Sequence, residues 1–229
     1  MYYDNIREAV FLRRLNRFVA EVSIDGRVEP VHVKNTGRCA ELLVPGHRVM
    51  LTASGNPARK TRYDLVAVWR GDRLINMDSM APNRAAEAWL RAGGLGPLQD
   101  LRAEVKAGDS RLDFAARQDG RPVYIEVKGC TLEQGGVARF PDAPTQRGVK
   151  HVRELERLSM KGCRCIALIV IQMKGVDHFE PNWSTHPEFG RALIEAQAAG
   201  VEIVAVDCRV VPGSVTIDSK IPVRLAPQP

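Results

Sequence analysis

Paired cysteines, long apolar runs, single-sign charge blocks and a good supply of aromatics are all missing from this chain. The five cysteines, Cys39, Cys130, Cys163, Cys165 and Cys208, are odd in number and irregularly spaced, with no CxxC pair. That excludes zinc-ribbon and thioredoxin-type readings and leaves reduced, mostly buried thiols. The longest apolar stretch, "CIALIVIQM", is far too short to cross a bilayer and suits a buried central strand. The start, "MYYDNIREAVFLRR", has early acids and no apolar core of a signal peptide. These absences predict a cytoplasmic protein with no membrane partner. Aromatics make up 6% of residues, and rings such as Phe18, Tyr63 and Trp69 are too sparse to predict tight base stacking. No repeat, low-complexity tract, helix-turn-helix or zinc module is legible.

What is present is an ordinary globular composition in 229 residues, with a net charge of +6 and a pI of about 9.2. The mild basicity is compatible with a nucleic-acid partner and does not establish one. The excess is spread out: residues 1–80 carry 13 Lys/Arg against 9 Asp/Glu, and residues 81–229 carry 20 against 18.

Residues 10–78 read as a strand meander. "RFVAEVSI" alternates, Asp25-Gly26 is a hairpin turn, and "VEPVHVK", "HRVMLTAS", "RYDLVAVWR" and "RLINM" follow, the last after a Gly71-Asp72 turn. Short strands with turns between them predict a small all-β barrel or sandwich. The loop "GNPARKTRY" carries Arg59, Lys60 and Arg62, which serve either as a solvated basic loop or as phosphate contacts. Asn35-Thr36-Gly37 predicts a loop with a positive φ at Gly37, with Arg38 and Glu41 after it.

The texture changes near residue 80. "APNRAAEAWLRAGGLGP" predicts a helix with Asn83 as its N-cap and Gly93-Gly94 as its stop. "LRAEVKAG", "SRLDFAAR" and "PVYIEVKG" predict three successive strands. A helix from Thr145 to Lys161 follows, with Val149, Val152, Leu155 and Leu158 as its apolar stripe, Asp142 as a candidate cap and Gly162 as its end. "RCIALIVIQM", a helix with Thr185 and Glu188 at capping-box spacing, and "VEIVAVDC" as the last clear strand complete an α/β domain.

Three charges on this frame need a reason. Glu126 and Lys128 are two apart on a strand, so they leave the same face. Asp113, on the preceding strand, comes alongside if the two form a hairpin. Two such carboxylates make an oxygen-rich hole for a hard cation, Mg²⁺ or Mn²⁺, with Asp113 and Glu126 as ligands. A neighbouring lysine positions water or stabilises developing charge. Without a cation the carboxylates repel. This is the D…(D/E)xK pattern of PD-(D/E)XK nucleases, in the helix–strand–strand–strand–helix–strand order of that fold. Glu87, on the preceding helix, is either a further acid of the site or a surface glutamate. Arg147, Lys150 and His151, in the first turns of the long helix, are placed to hold phosphate with its N-terminus or to form a solvated basic face. Asp177, His178 and His186 lack ligand spacing and read as structural.

"NTGRCAELLVPG", "SRLDF", "YIEVKGCTL" and "ARFPDAPTQRGVKHVREL" together resemble the sugar fermentation stimulation protein (SfsA) family over nearly the whole chain. The resemblance implies an OB-like barrel over residues 1–80 and a PD-(D/E)XK nuclease-like α/β domain over residues 81–229. It implies a DNA-binding protein linked to sugar-utilisation genes, with a Mg²⁺-dependent nuclease as the alternative and a small-molecule enzyme as the third reading. Asp113, Glu126 and Lys128 match the family's nuclease-like motif, and Thr145, Arg147, Lys150 and His151 match the start of its long helix. Gln146 departs from an expected glutamate and Val152 from a leucine. The proposed DNA contacts are Arg38, Arg59, Lys60, Arg62, Arg147, Lys150 and His151; the proposed catalytic set is Asp113, Glu126, Lys128 and Glu87. Whether the chain acts alone or as a homodimer stays open.

Overall fold

The computed structural model describes residues 1–35, 37–55, 58–108 and 110–226. Thr36 of the Asn35–Gly37 loop and Asn56 and Pro57 of the basic loop lie outside the described residues.

The first half is a barrel. Strands β1 (Ile6–Arg14), β2 (Val19–Ile24), β3 (Arg27–Val33), β4 (Arg48–Ala53), β5 (Tyr63–Arg70) and β6 (Arg73–Asn76) run in the order β3-β2-β1-β4-β5-β6, and a parallel β3–β5 pairing closes it. Strict alternation on β2 sends Ala20, Val22 and Ile24 inward, where they meet Phe11, Val31, Leu51 and Leu65. Asp25 and Gly26 both take positive φ, 51° and 76°, the backbone that a two-residue hairpin turn needs. Strand β1 falls in a stretch whose charges mask its pattern; only Ala9 and Phe11 turn fully inward.

The second half is a sheet with helices on both faces. Its strands are β7 (Gln99–Ala107), β8 (Ser110–Gln118), β9 (Arg121–Cys130), β12 (Arg164–Ile171), β14 (Glu202–Val211) and β15 (Ser214–Ile221), ordered β15-β14-β12-β9-β8-β7. β9, β12 and β14 are parallel, and the hairpin partners at either end are antiparallel. Helix α1 (Ala81–Arg91) covers one face; α2 (Gln146–Ser159) and α3 (Pro187–Ala198) cover the other. β12 is central and apolar throughout because Ile166, Leu168 and Val170 pack toward α1 while Ala167, Ile169 and Ile171 pack toward α2. A small sheet of β10 (Leu132–Gln134), β11 (Val137–Phe140) and β13 (His178–Pro181), inserted within the second half in sequence, pairs in the order β10-β11-β13.

Three expectations need correction. The cap of α1 is Met80, with Pro82 and Asn83 already inside the helix, so Asn83 is free for another task. Thr145, and not Asp142, caps α2: its hydroxyl accepts from Gly148 N at 3.1 Å. The cap of α3 is His186 without a side-chain bond, so the Thr185/Glu188 capping box does not form. β15 also extends the sheet beyond β14, and Tyr2 bridges to Ser214 beside it.

The outer strand β7 is mostly exposed, and its residues Asp100 and Glu104 sit at φ 52° and 53°. Its ladder with β8 slips between Gln99 and Arg102.

Candidate nucleic-acid and metal site

The β8–β9 ladder runs from Gln118↔Arg121 to Phe114↔Ile125. At the next step Asp113 replaces a backbone partner with its side chain: Oδ2 accepts from Val127 N at 2.7 Å. Its other oxygen, Oδ1, accepts from Asn83 Nδ2 of α1 at 2.7 Å. The helix can come this close because β9 carries Gly129, where a Cβ would lie 2.5 Å from Pro82 Cγ and 2.7 Å from Gln172 Oε1. Asn83 is thus the α1 residue that reaches the site. Glu87, one turn later, instead forms an i,i+4 pair with Arg91 at 2.7 Å and remains partly exposed.

Ile125 and Val127 face α1, so Glu126 and Lys128 face α2. The side chain of Glu126 is 2% exposed. Lys128 Nζ lies 2.5 Å from its Oε1, and His151 Nδ1 of α2 contacts the same oxygen. The second oxygen, Oε2, is buried without a hydrogen-bond partner among the described residues. Such an atom is costly unless something outside the protein satisfies it. His151, expected as a surface phosphate contact, is buried in this cluster.

The two carboxyls are driven apart. Burial pushes Glu126 up, but the His151 hydrogen bond and the Lys128 charge outweigh it and hold the group below its ordinary value. Burial, and then the Glu126 charge, push Asp113 above its ordinary value, against the Val127 N–H, Lys128 and Asn83. A carboxyl raised on folding supports the fold while protonated, and that support is lost as pH rises from the unfolded value through the raised one. Ionised Asp113 therefore weighs against the metal-free fold at neutral pH. Asp113→Asn, whose carbonyl oxygen keeps the Val127 N–H while Asn83 turns its amide oxygen to the new N–H, is expected to raise the melting temperature of the metal-free protein at pH 7. The gain should fade below the ordinary Asp value of about 3.9. Calorimetry at the two pH values checks this; an equal or lower melting temperature at pH 7 would refute it.

A cleft of about 950 Å³ opens beside this cluster, where barrel loops meet the second half. Its lining includes Pro82, Gly129 and Thr145, chain neighbours of the site, together with Arg14, Arg17, Arg38 and Arg139 against a single acid, Asp142. Arg14 is used internally, bonding the carbonyls of Asn35, Gly37 and Arg38, and Arg139 pairs with Glu180 at 3.3 Å. Arg17 and Arg38 are exposed. At Gly37 a Cβ would fall 2.6 Å from Asp142 Oδ2, a side-chain end that could give way, and among the described residues of this loop the positive φ is at Cys39 (46°). The N-terminus of α2 adjoins the cleft through Thr145, has no acid in its first turn, and carries exposed Arg147 and Lys150. Arg59, by contrast, is clamped to Asp64 at 2.7 Å. Lys60 and Arg62 are exposed, with Arg62 over the Tyr63 ring, and neither lines the cleft. His178 pairs with buried Glu180 at 2.7 Å, and His186 accepts weakly from Thr145 N at 3.4 Å, as structural residues do.

Asn83 and His151 are the site residues whose roles sequence reasoning misassigned. The second carried a usable signal: Gly148, His151, Val152 and Leu155 share the buried stripe of α2.

Among the described residues no helix is long and apolar enough to cross a membrane. Two family models match the chain: the SfsA N-terminal OB domain over residues 12–77 and the sugar fermentation stimulation protein RE domain over residues 80–214. A sugar fermentation stimulation protein homolog of Desulfitobacterium hafniense is 49% identical over 225 residues, covering 98% of this chain and 99% of the relative. One from Ruminiclostridium cellulolyticum is 47% identical over 226 residues, covering 98% and 100%. The solved structure of Pyrococcus furiosus SfsA in complex with Ca²⁺ superposes with a TM-score of 0.87 at 30% identity, over 98% of each chain. With both halves matched and relatives aligned over their full length, the chain belongs to the sugar fermentation stimulation protein (SfsA) family.

Proposed function

We propose that this chain binds DNA in the cleft between the barrel and the mixed sheet, with the phosphate backbone passing the N-terminus of α2. The observation that carries the reading is that exposed Arg17 and Arg38 from the barrel side and Arg147 and Lys150 from α2 are gathered around one cleft and one helix N-terminus. These groups address phosphate and not base edges, so binding depends weakly on sequence. The family name supports a place in sugar utilisation, with the regulation of such genes in the cytoplasm as the physiological reading.

The test is a salt titration. Four phosphate contacts give a slope of about −3.6 in log affinity against log salt, so binding to a scrambled duplex should weaken about 150-fold between 50 and 200 mM salt. Arg38→Ala and Arg147→Ala should each flatten the slope by about 0.9. An affinity insensitive to salt would exclude the reading.

A second reading, phosphodiester hydrolysis, is favoured by the unpartnered Oε2 of Glu126. A divalent cation fits this site: the donors are hard carboxylate oxygens, one of them unsatisfied, and the Ca²⁺ named with the Pyrococcus furiosus protein supports such an ion. Among the described residues no three His, Cys, Asp or Glu side chains converge as a ready-made shell. The fit is therefore to an ion such as Mg²⁺ or Mn²⁺ that keeps several waters and takes one or two carboxylates, here Glu126 and Asp113. When bound, such an ion supplies Lewis-acid stabilisation of phosphoryl oxygen charge and an acidified water. The chain's own share is separate. Glu126 holds Lys128, whose side chain is 15% exposed and whose ammonium can orient a water or meet developing negative charge. Asn83 and Val127 N fix Asp113.

A further inference from the structure

We propose that His151 is a positioning residue for Glu126: its ring holds one carboxylate oxygen so that the other is presented, unshared, to a divalent cation. The inference rests on the metal reading above and adds the residue that shapes the site. Three observations support it. His151 is 6% exposed, on the buried stripe of α2, so its ring is fixed by packing. Its Nδ1 meets Glu126 Oε1, the oxygen that also receives Lys128, while Oε2 is left without a partner. Its Nε2 lies 3.4 Å from Arg147 Nε, a group that can only donate. That geometry selects one tautomer: Nε2 accepts, and Nδ1 bears the proton that it donates to the carboxylate.

Two donors on one oxygen do more than satisfy it. They fix the carboxylate's rotation about its last bond, which would otherwise leave the two oxygens interchangeable. The arrangement parallels the outer-shell partners that orient metal-binding carboxylates, whose loss typically weakens metal binding about 10–100-fold. It also joins the phosphate-facing surface to the interior. Arg147 lies at the exposed start of α2, and His151 links it to Glu126 in a chain of two contacts.

The experiment is calorimetric titration of the full-length protein with Mn²⁺ in the absence of DNA, with melting curves for each metal-free variant. His151→Phe keeps the ring and removes both nitrogens; its Mn²⁺ affinity should fall about 10–100-fold. His151→Asn sets an amide N–H where Nδ1 stood and should restore most of that loss. Should the phenylalanine variant melt early, His151→Gln, with its amide displaced toward the Nε2 position, gives the same comparison and should bind Mn²⁺ as weakly. A merely structural histidine would show losses in melting temperature that asparagine does not repair, with Mn²⁺ affinity unchanged, and that outcome overturns the proposal. Wild type that takes up Mn²⁺ equally with every variant overturns this inference alone. Wild type that takes up no Mn²⁺ removes the metal reading and this inference with it.

Discussion

Lys128→Ala is expected to slow DNA cleavage in Mg²⁺ or Mn²⁺ by about 10²–10⁴-fold, the contribution typical of one positioned proton-handling group. Binding to the same DNA should stay near the wild-type level. The separation follows from where the ammonium sits. Lys128 is mostly covered and engages Glu126, whereas Arg17, Arg38, Arg147 and Lys150, the cations proposed to meet phosphate, are exposed. The carboxylates stay in place because Asp113 is held by Asn83 and Val127, and Glu126 keeps His151. Cleavage of labelled single-stranded, duplex and branched DNA, beside binding measured in Ca²⁺, reads both quantities. If Lys128→Ala cuts as fast as wild type, the ammonium plays no part in the chemistry. If wild type cuts nothing with either ion while binding persists, the carboxylates serve binding alone.

The second large effect concerns stability. Phe189→Ala should cost about 3–5 kcal/mol, the range for a fully buried phenylalanine. Phe189, on α3, is 0% exposed and meets the Phe140 ring edge-on at 5.1 Å. It also lies under the first turn of α2, with its Cε2 3.5 Å from where a Cβ at Gly148 would stand. Its removal therefore leaves a cavity under the turn that presents Arg147, one turn before His151. Urea denaturation should show a lower midpoint with little change in slope, and the melting temperature should fall by at least about 6 °C. A loss under about 1 kcal/mol, well below the usual range for such a truncation, would mean that this end of α2 is held by other contacts.

Much of this architecture is legible in the chain because local chemistry and burial agree. Asp25-Gly26 adopts the turn its residues favour, and the unbroken apolar run at 165–171 is the strand covered on both faces. Glu126 and Lys128 come together because a two-residue spacing on one strand puts them on one face, and the hairpin sets Asp113 against Val127 between them. What was not legible depended on partners distant in sequence. β1, β10, β11 and β13 are short, charged or partly exposed, and pairing rather than pattern makes them strands. Asn83 read as a cap because a polar residue after proline at a helix start usually is one. In the fold the helix begins two residues earlier, and the amide is turned to a carboxylate 30 positions away. Arg59 is a different case: its partner Asp64 is only five residues away, but the turn that brings the two together is not legible in the loop's residues.

The backbone of β7 bears on assembly. A neighbouring molecule that tried to lengthen the sheet there would need an even row of amides and carbonyls. Asp100 and Glu104, both in the left-handed region, turn that row aside twice within nine residues. At the opposite margin, Tyr2 already lies against β15. That contact reaches only Ser214 and Val215 at the start of β15; the β7 border is the one that resists zipping by a second copy, so sheet extension through β7 is not a route to a homodimer.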